Sequence, residues 1–88
     1  MACKRIYMVE EYNLGKDGMR EDYEVKGVTE DLELANSIAE RERDHYKDVY
    51  GMDVKSEVVM PSGRKRFKMV NEKGLEFVIR VCTTNLFS

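Results

Sequence analysis

A single amphipathic helix, flanked on both sides by segments with a period of two, constrains the fold more than any other feature of this sequence. At about 100° per residue, the apolar side chains of segment 30–50 fall on one broad arc: Leu32, Leu34, Ala35, Ile38, Ala39, Tyr46, Val49 and Tyr50. Thr29 is placed to cap the N-terminus of this helix, and Gly51 is placed to end it in the left-handed conformation. A helix with one apolar stripe must bury that stripe on a sheet.

Strand-like alternation of apolar and polar residues precedes and follows the helix. Segments 4–12 and 20–28 are separated by the turn-forming residues 13–18, which predicts a β-hairpin. Three further alternating segments follow the helix and are broken at 61–63 and 71–74, which predicts a three-stranded meander. The element order is therefore ββαβββ. We expect an α+β, two-layer fold with one long helix packed on a five-stranded antiparallel or mixed sheet.

Length and composition limit the class of protein. A chain of 88 residues forms one core, so residues 1–88 are expected to be a single domain. With 42% hydrophobic and 36% charged residues and a mean hydropathy of −0.57, the chain is typical of neither a disordered tail nor a membrane protein. Cys3 and Cys82 form no CxxC pair. We therefore expect free thiols in a cytoplasmic protein, with a disulfide between the first and last strands as the alternative.

No pattern in the sequence is typical of a metal site, a phosphate-binding loop or a cofactor site, and we expect no cofactor. His45 is the single histidine, and Asp48 lies nearly one helical turn from it, but no nucleophile is placed to be activated. We interpret His45 as a packing residue at the edge of the apolar arc, with a catalytic or sensing role as the alternative. The protein is therefore not expected to be an enzyme.

Glu42 is the one residue that breaks the pattern of the helix, because its direction lies in the middle of the apolar arc. Burying an unpaired carboxylate is costly. We expect Glu42 either to reach water past a small neighbour such as Ala35 or Ala39, or to pair with a tyrosine or arginine of the sheet. A functional polar group in a pocket is the alternative.

The run 64–68 is the densest cluster of charge in the chain. If Phe67 and Met69 face the helix, the alternating residues of this strand point to the opposite face of the sheet. Each neighbouring strand adds one cation to this face, and the acidic residues expected on the same face are Glu57 and Glu76. The sequence predicts a cationic sheet face that binds an acidic partner, with a solvated, salt-bridged face as the alternative; its members are Lys55, Arg64, Arg66, Lys68 and Arg80.

The order of elements, the run 25–29 that enters a helix containing Ala35, and the closing meander at 53–84 resemble small phage proteins of the anti-CRISPR type. The resemblance implies a non-enzymatic phage or mobile-element protein that acts as an inhibitor or adaptor by occupying a surface of a host or phage protein complex. Residues 1–44 carry a formal charge of −5 (7 basic, 12 acidic) and residues 45–88 carry +3 (8 basic, 5 acidic), and such a split can steer a partner.

Two other kinds of partner remain open. A nucleic acid could bind the cationic face around residues 64–68, although the net charge of −2 is the reverse of the usual basic footprint. A homodimer could form through the uncovered sheet face or an edge strand, because Val59, Val78 and Cys82 are expected to point away from the helix.

Overall fold

The structure, a computed structural model, describes the backbone of residues 3–15 and 17–87 and the side chains of residues 5–15 and 17–84. It contains one helix and one five-stranded sheet, in the order ββαβββ, which confirms the expected α+β class. The elements are β1 (Cys3–Leu14), β2 (Arg20–Thr29), α1 (Leu32–Tyr50), β3 (Asp53–Val59), β4 (Lys65–Val70) and β5 (Glu76–Phe87). The described part of the chain includes no helix long and apolar enough to cross a membrane.

All neighbouring strands of the sheet are antiparallel, in the order β2-β1-β5-β4-β3. The predicted hairpin is β1 with β2, and the predicted meander is β3, β4 and β5. These two units are joined by the long pairing of β1 with β5, which runs from Cys3 opposite Phe87 to Leu14 opposite Glu76. The helix therefore connects the two edge strands of one sheet and crosses a single face of it.

The helix begins two residues later than the sequence predicts for its cap. Asp31 is the N-cap, and its Oδ1 atom accepts a hydrogen bond from the backbone N–H of Glu33 at 2.9 Å. Thr29, the predicted cap, is the last residue of β2 and instead accepts a hydrogen bond from the Asp31 N–H at 3.1 Å. Gly51 ends the helix with φ of 66°, and its N–H donates to the carbonyl of Tyr46, which confirms the predicted C-cap.

The core lies between the helix and the covered face of the sheet. Its buried residues come from the helix and from the three central strands: Val9, Ala35, Ala39, Phe67, Met69, Phe77, Ile79 and Val81. Gly27 on β2 lets the helix approach closely, because a Cβ atom there would lie 2.9 Å from the Cδ1 atom of Ile38. Burial of this apolar surface is the main force that holds the two layers together.

A β-bulge changes which side chains of β3 face the helix. The pairing of β3 with β4 shifts register between Val54 and Ser56. Beyond the shift, Val58 lies on the face away from α1, whereas Glu57 and Val59 pair with residues on the helix side. The prediction that Val59 and Glu57 face away from the helix is therefore wrong, because one extra residue reverses the alternation of the strand.

Candidate functional site

We call the sheet surface turned away from α1 the open face. The structure brings the predicted partner-binding residues together on it: Lys55, Arg64, Arg66, Lys68 and Arg80. The register places Arg66 directly opposite Arg80, and the positive charge of Arg64 acts on the thiol of Cys82 in the last strand. The alternation in β4 and β5 thus places Arg66, Lys68 and Arg80 on the open face, as the sequence predicts.

Three of these five cations are already paired within the protein. Lys55 Nζ lies 2.7 Å from Glu76 Oε1, and Lys68 Nζ lies 3.4 Å from Glu76 Oε2. Arg80 Nε lies 3.2 Å from Oε1 of Glu10, on the neighbouring strand β1. Much of the positive charge of the open face is thus balanced internally, as the alternative of a salt-bridged face expects.

The remaining positive charge is concentrated on Arg64 and Arg66. Arg64 Nε donates to the Ser62 hydroxyl at 2.9 Å, which leaves the guanidinium charge uncompensated. Arg66 sits opposite Arg80, and like charges directly opposite one another destabilise a sheet. Within the described residues, neither Arg64 nor Arg66 forms an ion pair.

A buried carboxylate on the open face organises the centre of the sheet. Glu10 is 6% exposed and accepts hydrogen bonds from Tyr23 Oη and Arg80 Nε. Burial acts to raise the pKa of Glu10, but the Cys82 thiol, the Tyr23 hydroxyl and the charge of Arg80 together lower it below its ordinary value. The Arg80 guanidinium also lies 5.4 Å from the ring centre of Tyr12.

The β2 side of the open face is mostly apolar, apart from Arg20, whose guanidinium lies 4.8 Å from the ring centre of Tyr12. Tyr23, Val25 and Val28 are 51%, 42% and 60% exposed, and Val28 pairs with the half-buried Met8. Exposed apolar side chains in one strip, next to charged residues, are typical of surfaces that bind other proteins. The open face therefore combines a mostly apolar half with a half on which Arg64 and Arg66 have no acidic partner within the described residues.

A second region lies at the C-terminal end of α1, between the turn that joins β1 to β2 and the loop before β5. It is a cleft of about 980 Å³, and its described lining includes no lysine or arginine. We call it the acidic cleft, because it is lined by the carboxylates Glu11, Asp17, Glu21, Asp22, Glu24 and Glu76. Its other walls include the aromatic rings of Tyr46, Tyr50 and Phe77.

Glu11 is the buried carboxylate of the acidic cleft. It is 1% exposed and accepts a hydrogen bond from the Tyr46 hydroxyl at 2.9 Å, and its buried Oε2 atom has no hydrogen-bond partner among the described residues. Burial, helped by the charges of Glu42 and Glu24, raises the pKa of Glu11 to about 7, although the hydrogen bond from Tyr46 and the charge of Lys26 act to lower it. Adjacent residues of β1 thus place one carboxylate on each face of the sheet.

The structure places Glu42 half-buried on α1, in a shallow groove beside Lys26, Arg41 and His45. Within the described residues, Glu42 forms no hydrogen bond or ion pair with a tyrosine or arginine of the sheet, so the expected pairing is not seen. The tyrosine of the helix, Tyr46, donates to Glu11 instead. His45 is exposed and packs edge-on against two tyrosine rings of the helix, at centroid distances of 5.7 and 5.6 Å. This geometry agrees with the interpretation of His45 as a packing residue.

The cysteine positions argue against the disulfide. Cys3 lies opposite Phe87 and Cys82 lies opposite Met8, so five residues of strand, about 17 Å, separate the two cysteines along the sheet. That distance is too long for a disulfide. Burial raises the pKa of the Cys82 thiol to about 11, so the thiol stays protonated at neutral pH.

Among the described residues, no three histidine, cysteine or carboxylate side chains converge as metal ligands would.

No protein-family model, no curated protein and no solved structure matches this chain. Function must therefore be argued from the chemistry of its surfaces, because a fold alone does not imply an activity.

Proposed function

We propose that this protein is a small non-enzymatic binding protein, encoded by a phage or mobile element, that acts in the cytoplasm as an inhibitor or adaptor. It docks its open face on an acidic patch of a host or phage protein complex. The observation that carries the proposal is the pair Arg64 and Arg66, which lie beside an exposed apolar strip and lack an acidic partner within the described residues. The resemblance to small phage inhibitors supports the same class of function.

Charge complementarity favours an acidic protein surface. A carboxylate of the partner could bind the planar guanidinium of Arg66 in a bidentate manner and relieve its repulsion with Arg80. The paired cations Lys55 and Lys68 would form a polar rim, which contributes little affinity. Tyr23 and the two valines of β2 would supply the apolar part of the interface.

A nucleic acid is the second candidate, and the aromatic residues of the open face argue against it. Proteins that bind single strands stack bases on exposed aromatic rings. Tyr23 is half exposed and able to stack, but Tyr12 is only 2% exposed and lies beneath the guanidinium of Arg80. The described open face therefore presents a single stacking ring.

The test compares two variants with the same change of charge. Arg64→Glu with Arg66→Glu reverses the free cations of the open face, whereas Lys47→Glu with Lys73→Glu reverses exposed lysines elsewhere. Partners captured from a nuclease-treated lysate of the source cells are identified, purified and titrated with each folded variant. We expect the open-face variant to bind at least about tenfold more weakly, and the control to bind as the parent protein does.

Two results would contradict the proposal. If the folded open-face variant keeps full affinity for the purified partner, the open face is not the binding surface. If duplex or single-stranded oligonucleotides bind, with log Kd rising steeply with log salt and binding lost in the open-face variant, the partner is a nucleic acid.

A further inference from the structure

We propose that the acidic cleft is a binding site for an alkylammonium group, carried either by a lysine side chain or by a free polyamine. The cleft lies at the end of the helix, apart from the arginines of the open face. The inference therefore stands or falls independently of the proposed function.

The charge of the cleft selects for a cation. Of the fifteen described residues that line the cleft, six are carboxylates. Two of the six already have lysine partners: Glu24 lies 3.1 Å from Lys26 Nζ, and Glu76 binds Lys55 and Lys68. The other four have no cationic partner within the described residues, so the cleft keeps a negative potential that a bound cation would neutralise.

The helix adds to this negative potential. The helix ends at Gly51, and both Tyr50 and Met52 line the cleft, so the C-terminal end of the helix opens onto it. The partial negative charge of a helix C-terminus favours a cation placed there.

The apolar walls select for an alkyl chain. Tyr46 stacks on Tyr50 with ring centres 5.4 Å apart and packs against Phe77 at 4.4 Å. Leu75, 48% exposed, lies in the same lining. Aromatic rings attract ammonium groups and pack against methylene groups, so these walls suit a flexible alkylamine better than a bare metal ion, which needs converging oxygen ligands.

Glu11 provides a second observation, separate from the surface charge of the cleft, that points to a bound cation. Its neighbour Val9, two residues back on the same face of β1, is apolar and fully buried, and an apolar residue at position 11 would avoid a buried carboxylate. Instead, Glu11 forms part of the inner wall of the cleft, and no described residue donates a hydrogen bond to its Oε2 atom. A cation in the cleft would supply the missing compensating charge.

The site should respond to pH. The charged or titratable groups that act on Glu11 are Tyr46 and Glu42 from α1 and Glu24 and Lys26 from β2; on β5, the residue opposite it is an isoleucine. An alkylammonium ion binds the ionised form of Glu11 better than the neutral form. If binding lowers the pKa of Glu11 by about one unit, affinity increases about fivefold between pH 6 and pH 8.

The experiment uses calorimetric titration of the full chain with two probes, cadaverine and an acetylated trilysine peptide. We expect at least one to bind, and Glu21→Gln with Asp22→Asn to weaken that binding about tenfold. Asn tolerates the left-handed backbone at position 22, where φ is 54°, so this variant should fold. The matched control is Glu33→Gln with Glu57→Gln, which removes the same charge away from the cleft. A further variant, Glu11→Gln, should abolish the increase in affinity between pH 6 and pH 8.

The probes distinguish the source of the ammonium group. Binding of cadaverine points to a free polyamine, and binding of the peptide alone points to a lysine side chain. The proposal is overturned if neither probe binds, if the cleft variant binds as well as the control, or if diacetylated cadaverine, which has no charge, binds equally well.

Discussion

Glu10 and Glu11 are adjacent in the sequence and both are buried, yet they lie in opposite environments. On the open face, Glu10 accepts hydrogen bonds from Tyr23 and Arg80, and its pKa is lowered. In the acidic cleft, the described part of the chain offers Glu11 one tyrosine donor and leaves its second oxygen without a partner, and the pKa of Glu11 is raised to about 7. The difference shows that the partners on each face, and not the residue type, decide whether the pKa of a buried carboxylate is lowered or raised.

The largest expected effect comes from removing the charge of Glu10. Glu10→Gln should lower the free energy of unfolding by about 2–4 kcal/mol at pH 7, because Arg80 loses its carboxylate partner at the centre of the sheet. The lowered pKa of Glu10 contributes stability that is present above pH 4.5 and is lost as the pH falls through the folded-state pKa. Urea unfolding at pH 7 and pH 3 measures the effect, and an equal loss at both values would contradict it.

The matching substitution in the cleft should have the opposite sign. A pKa raised from 4.5 to about 7 means that the stability linked to Glu11 is fully present below pH 4.5 and is lost as the pH rises through 7. Glu11→Gln should therefore raise the free energy of unfolding by about 1–3 kcal/mol at pH 8 and leave it nearly unchanged at pH 4.5. Urea unfolding at the two pH values measures this change. Destabilisation at pH 8 would show that the ionised carboxylate has a partner.

Periodicity predicted most of the fold but not these two carboxylates. The switch from a helical period to a period of two at Gly51, and the turn residues around each break, indicated the helix, the hairpin and the meander. Alternation also predicted the placement of Arg66 and Lys68 on the open face. Helical periodicity marked Glu42 instead, because a helical wheel shows only where a residue lies relative to the other residues of the same helix. The environments of Glu10 and Glu11 depend on which helix and strand residues lie across from β1, which no local pattern contains.

Other parts of the fold depend on long-range or irregular features. The strand order requires the pairing of β1 with β5, which joins the two ends of the chain and has no local signature. The bulge between Val54 and Ser56 adds one residue without a glycine to mark it, and it reversed the predicted faces of Val59 and Glu57. Asp31 caps the helix in place of Thr29, because Thr29 is still paired with Tyr7 in the sheet.

The expected homodimer offers a third prediction, which concerns the surface through which two copies would associate. Two open faces would repel through Arg64 and Arg66, so self-association should use the edge of β5 beyond Arg80, where β4 no longer pairs with it. Light scattering at about 50 µM should show a dimer in both the parent protein and the variant Arg64→Glu with Arg66→Glu. If the parent protein shows only a 10.3 kDa species, the prediction of a homodimer is wrong.

The smallest effect concerns Glu42. Its charge helps to raise the pKa of Glu11, so Glu42→Gln should lower that pKa by less than about one unit. The affinity of the open face for its partner should stay unchanged. Carboxyl NMR signals followed through the titration measure the shift, and a rise in the pKa would contradict the placement of Glu42 near the cleft.

The central claim is that a cation bound in the acidic cleft would compensate the charge of Glu11, whereas Glu10 is already paired within the protein. NMR titration of both side-chain carboxyl carbons, with and without cadaverine, tests it most directly. We predict that Glu11 titrates near pH 7 and Glu10 below pH 4.5 in the free protein, and that cadaverine lowers the midpoint of Glu11 alone. If Glu11 titrates at or below pH 4.5, or if cadaverine leaves its midpoint unchanged, the claim is contradicted.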